Sequence, residues 1–147
     1  MNNYIRLTTG AVCLLILALG LIACEKKKEG KVIVTEKEFA LRKDGTLSYS
    51  LDVRGKVKNI GEVDVKKVVV TGYCRSCGEM VLIGSWFVSD LEKTPDQKDT
   101  ISYLTVGGEE AFSFQGIAFW YGKAGEKPQG IPEKLEIVIE SFETVNN

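Results

Sequence analysis

The sequence predicts an all-β protein, an antiparallel sandwich of six or seven short strands. Two observations carry the prediction. Between Leu47 and Val57 every odd position is apolar or glycine and every even position is polar. That period of two marks a strand with one face on a core and one in water. Long helical periodicity is absent, and turn-forming or charged stretches separate the apolar runs.

Val32 to Ala40 reads as the first strand, and Asp44-Gly45 as the turn before the second, Leu47 to Val57. Asn59-Ile60-Gly61 supplies the next turn. The β-branched run Val65, Val68, Val69 and Val70 is the third strand. Met80 to Phe87 is an apolar run interrupted by Gly84, and reads as a fourth. Ala111 to Phe119 carries Phe112 and Phe114 two apart. Leu135, Ile137 and Ile139 alternate with Glu136 in the last strand. Ser89 to Thr100 and Lys123 to Lys134, each with proline and many charges, read as loops. Residues 32–147 are expected to form one β-sandwich domain, long enough to bury a core without depending on disulfides.

The stretch from Arg54 to Phe114 resembles the FxLYD-type domain of bacterial envelope lipoproteins. The matching pieces are Gly55 to Gly61, Val65 to Val70, Gly78 with Val81, and Gly107 to Phe112. Thr71 to Arg75 departs from the motif that names the family. The resemblance implies an immunoglobulin-like sandwich of about seven strands, and it carries over no catalytic residue.

The 147 residues include 19 basic and 20 acidic side chains, a net charge of -1, and no histidine. Ser-His-Asp and Cys-His catalysis, histidine metal sites and histidine pH switching are excluded. A near-neutral chain also lacks the basic field that nucleic acid binding uses. Glu109-Glu110 and Asp96 with Asp99 show no ligand or acid–base spacing and read as solvated charge.

Near the N-terminus an apolar run, Ala11 to Ala23, follows Arg6. Thirteen residues are too few to span a bilayer, which needs about 20, and suit the core of a signal peptide. The run ends in Leu21-Ile22-Ala23-Cys24, which resembles the bacterial lipobox. The resemblance implies that residues 1–23 are a lipoprotein signal peptide and that Cys24 takes a diacylglyceryl thioether. Residues 24–31 would then be an acylated tether. The domain would lie outside the cytoplasm, held by lipid on a membrane of the cell envelope, inner or outer. Two or more acyl chains give a stable anchor where one is marginal.

With Cys13 in the signal segment and Cys24 acylated, Cys74 and Cys77 remain. Their Cys-x-x-Cys spacing places them at the ends of a four-residue turn, compatible with disulfide geometry, and an oxidising compartment favours the bond. A redox pair would want the first cysteine at a helix N-terminus, whereas Met80 to Ile83 reads as strand. Haem attachment needs histidine where Gly78 stands. Two thiolates leave zinc two ligands short unless carboxylates or another chain complete the shell. Phe119, Trp120 and Tyr121 form a candidate binding surface if exposed and a cap on the core if buried; Trp86-Phe87 has the same two readings. The expected function is a lipid-anchored envelope module that binds or assembles with an unidentified protein or envelope partner. No catalysis, cofactor or metal is expected. The alternative is a thiol–disulfide or metal-relay protein using Cys74 and Cys77.

Overall fold

The structure is a computed structural model that describes residues 27–89 and 92–145. Seven strands make up the fold: β1 Val32–Lys43, β2 Ser48–Asn59, β3 Val65–Cys74, β4 Trp86–Phe87, β5 Lys98–Leu104, β6 Glu109–Tyr121 and β7 Leu135–Thr144. They form two antiparallel sheets, ordered β1-β2-β6-β4 and β5-β3-β7. From β2 onward every connection crosses from one sheet to the other. The interior is filled from both sides, by Val53, Val57, Phe112, Phe114 and Ile117 of one sheet and Val65, Val68, Val70 and Leu104 of the other. This is the expected seven-stranded β-sandwich. The alternating face of β2 points inward as its sequence predicts, with Leu51, Val53 and Val57 buried.

Two irregularities set which residues face the core. Lys67 adopts a positive φ of 51°, so Val65 and Val68 both point inward although they lie three apart. Their partners on β5, Leu104 and Ile101, inherit the same spacing. The period of two is therefore broken in β5, and the first part of this strand falls inside the Ser89–Thr100 stretch that reads as loop. The preceding residues Pro95–Gln97 make a short 3₁₀ turn. On β6 the register against β2 jumps from Val53↔Phe114 to Leu51↔Ala118. Gly116 sits in this bulge at φ 67°, and its N–H donates to Asp52 Oδ1 at 3.1 Å.

Met80 to Phe87 is not a continuous strand; only Trp86 and Phe87 pair, with Trp120 and Phe119. The reason lies at the end of β6: in the Trp86↔Trp120 register Met80 to Ile83 would lie opposite residues 123–126, past Tyr121 where β6 ends, and have no ladder to join. On the other side of the pair, side chains take the β6 edge: Asp99 accepts from the Ser113 N–H at 2.8 Å, and Gln97 Nε2 donates to the Gly116 carbonyl at 2.7 Å.

One pole of the sandwich gathers the β2–β3 and β5–β6 turns and the end of β7. Fully buried Asn59 organises it. Its amide nitrogen donates to the carbonyls of Val63 and Leu104, its Oδ1 accepts from the Gly61 N–H, and its backbone bonds Gly107 and Gly108. The chain enters here: Lys31 and Glu29 carbonyls accept from Ile60 and Glu62 at 2.7 and 2.8 Å. Gly61 lies so close to this entering backbone that a Cβ would collide with it. The last residues of the segment read as a tether are thus fastened to the domain. Asp64 joins the two turns, accepting from the Tyr103 hydroxyl at 2.5 Å and the Val106 N–H at 2.8 Å.

Two measurements test this account. Leu51→Ala empties a fully buried site and should cost about 2–5 kcal/mol in urea unfolding. The hydrogen bond from Tyr103, then that from Val106, holds the Asp64 carboxyl below its ordinary value. A depressed folded value contributes stability that is present at neutral pH and lost as pH falls through it. Asp64→Asn should therefore flatten the acid limb of the stability profile, and an unchanged limb would contradict the assignment.

Candidate functional site

The pole opposite the entering chain is assembled from the end of β3, the β3–β4 connection, β4, the end of β6 and the 122–134 loop. β3 ends at Cys74, which is buried against Leu51 and Ala118, with Cys77, Trp86, Val88 and Leu135 around it. Cys74 and Cys77 are joined by a disulfide with Cα atoms 5.5 Å apart. Arg75, inside the bridge, donates its N–H to the Lys134 carbonyl and pairs with Glu136, both at 2.9 Å or less.

The disulfide closes one side of an excursion. Gly78 donates to the Trp86 carbonyl at 3.1 Å and accepts from the Val88 N–H at 2.9 Å. Ser85 donates to Leu82 at 3.1 Å, and Gly84 to the Tyr121 carbonyl at 2.8 Å. The chain between is a finger whose base is tied down. Its tip is Met80, Val81, Leu82 and Ile83, exposed to 70%, 61%, 56% and 65%. Four consecutive large apolar side chains in water are unusual on a monomer. The Met80–Ile83 run stands between Gly78 and Gly84 just after the cysteine pair and shows no polar alternation. That lack of alternation is the sequence signal that separates the finger from a half-buried strand.

Beside the finger lies an open cleft of about 540 Å³. Gly84, Trp86 and Trp120 line it together with the 126–131 stretch of the loop, which brings Glu126, Lys127 and Gln129 as well as Pro128 and Ile131. The Trp86 indole N–H donates to the Gly130 carbonyl at 3.1 Å and holds the loop against the sheet. Trp120 is 5% exposed and meets Tyr49 edge-to-face at 5.8 Å. Phe119 faces the other side of the sheet and packs on Phe87, centroids 5.9 Å apart. Tyr121 is 40% exposed at the same pole. The aromatic triplet therefore divides, with Trp120 largely in the packing under the cleft and Tyr121 at the surface. Cys24 lies outside the described residues.

A second cleft, about 460 Å³, borders the disulfide on its far side and is lined by Tyr73, Cys74, Cys77, Val88, Lys93 and Gln97. Lys93 and Arg75 each stand 4.6 Å from the Tyr73 ring centre. Burial, and then the Lys98 charge, pushes the Lys93 ammonium below its ordinary value. Among the described residues no cluster of three or more His, Cys, Asp or Glu could hold a metal ion.

The four-residue loop closed by the disulfide gives about 2 kcal/mol in the chain-entropy model. Replacing both cysteines by serine should lower stability by about that amount in urea unfolding and leave the β circular dichroism intact. Loss of all structure would show that the bridge holds more than the base of the finger. Compared with family models, curated proteins and solved structures, the chain finds no match.

Proposed function

We propose that this chain is a lipid-anchored bacterial envelope protein whose sandwich is a non-catalytic binding or assembly module. The observation that carries the reading is the finger Met80–Ile83, held out in water at the pole away from the entering chain. The Leu21-Ile22-Ala23-Cys24 sequence after a short apolar run supports anchorage through Cys24. An anchor on that side would keep the finger about 40 Å from the membrane, the rise of a 13-residue strand such as β6. The likeness of Arg54 to Phe114 to the FxLYD-type domain fits the same role. Thiol chemistry finds less support, because Cys74 is buried at the end of a strand and not at the N-terminus of an α-helix, which would lower a thiol pKa.

Mass spectrometry of the protein extracted from bacterial membranes should find an N-terminal, acylated Cys24. A mature chain that begins elsewhere, or keeps Met1, overturns the anchorage. Insulin reduction by the purified protein should be at background, and turnover that disappears in Cys74→Ser would replace the binding role with a redox one.

A further inference from the structure

We infer that the partner of this pole is a second copy of the same chain, joined by exchange of the apolar finger: Met80–Ile83 of each copy enters the cleft between Trp86 and Ile131 of the other. The inference deepens the binding-module reading and rests on it.

Three features single out a second copy. The first is shape. The tip projects as four consecutive exposed apolar side chains, and a concave site covers more of such a projection than a flat one. One lies immediately beside the finger, with Gly84 in its lining. A knob and a hole on the same pole are the condition for an isologous contact, in which i meets j and j meets i across a two-fold axis. The cleft, about 540 Å³, falls in the size range of binding sites, roughly 300–1,000 Å³, with Trp86, Pro128 and Ile131 as its apolar walls and Glu126, Lys127 and Gln129 between them.

The second feature is area. Tyr121 and Ile131, also exposed, extend the finger into an apolar patch on the order of 500 Å², at the upper end of what monomers show. Doubled by symmetry, and with its polar rim, the patch reaches the roughly 1,200 Å² at which specific interfaces begin.

The third is charge. The exposed rim carries Glu79, Glu126 and Glu133 beside Lys123, Lys127 and Lys134. A balanced rim can meet itself without net repulsion and can pair acid with base across the axis. The same balance gives no attraction to an anionic leaflet, which rewards excess lysine or arginine. A bilayer is therefore the weaker occupant, the more so because the finger stands away from the pole where the chain enters.

The test uses the full-length chain in mild detergent, with the photoreactive residue benzoylphenylalanine replacing Leu82. Irradiation should give a covalent dimer whose crosslink maps by mass spectrometry to Trp86 or to residues 128–131 of the other copy. Light scattering should report a dimer for the unmodified chain. Leu82→Glu and Ile131→Glu alter exposed positions and should each leave the circular dichroism unchanged while raising the dimer dissociation constant at least about a hundredfold, because each change counts twice across the axis. A dimer that survives both substitutions overturns the proposal, since its contact lies elsewhere. A monomer whose crosslink in whole membranes goes only to lipid or to another protein also overturns it, and leaves the binding reading standing. Absence of any crosslink in detergent and in membranes overturns both.

Discussion

The distal pole hangs on one backbone irregularity, the bulge of β6 opposite Asp52. Two extra residues in β6 slide the register so that Ala118 meets Leu51 and Trp120 meets Tyr49. An even insertion preserves the parity of the strand, so Phe112, Phe114, Ala118 and Trp120 all stay on the inner side. The bulge also takes the N–H and carbonyl of Gly116 out of the ladder, and both find a partner. Asp52 takes the Gly116 N–H, and Gln97 gives to the Gly116 carbonyl. Asp52 is itself held by Arg42, whose ε nitrogen is 2.7 Å from its carboxylate. A hydrogen bond that a bulged N–H donates to a charged acceptor fixes the bend more firmly than one to a neutral acceptor. Trp120 then lands beside Trp86, and β4, the finger and the cleft follow from that contact.

The two poles solve the same problem with different chemistry. Where strands turn, backbone groups leave the ladder and must be satisfied. At the entry pole a single buried amide, Asn59, does this from the inside, giving its amide hydrogens and its carbonyl to the β2–β3 and β5–β6 turns at once. At the distal pole, among the described residues, no single buried side chain joins the turns in this way. The long 122–134 loop and the β3–β4 excursion are pinned separately, by a disulfide, an indole N–H and a few backbone bonds. The entry pole is compact and polar as a result, while the distal pole keeps an open cleft and an apolar projection.

The period-two strands were legible where their alternation runs unbroken: β2 shows it from Tyr49 to Val57, β7 shows it in Leu135, Ile137 and Ile139 of its first half, and the Asn59-Ile60-Gly61 turn declares itself by residue type. β5 was hidden by a conformational event in another strand, the positive φ at Lys67, which spaces its inward residues three apart. No local pattern in β5 reports a kink in β3. Met80–Ile83 failed in the opposite sense. Its composition is that of a strand, yet in the Trp86↔Trp120 register it lies past Tyr121, where β6 ends, a fact that belongs to tertiary structure. The Cys74–Cys77 spacing could be read as a turn, and the bridge is there. What the spacing could not reveal is that the bridge forms the foot of an exposed apolar tip.

That placement gives the disulfide a role out of proportion to its modest share of stability. An apolar loop that is free to fold back would bury its own side chains on the sandwich and would have to be ordered again before each encounter. Fastened at Gly78, Gly84 and Trp86 and closed by the bridge, the finger of this protein holds Met80 to Ile83 in water as one shape. Ordering costs about 0.5–1.5 kcal/mol for each mobile side chain in an interface, and a preformed loop has met part of that cost before the partner arrives. Exposing four large aliphatic groups opposes solubility, so such a tip is sustained only where covering it serves a purpose. The bridge and the bulge therefore belong to one device: the first keeps the finger out, and the second sets Trp120 and Trp86 side by side under the cleft next to it.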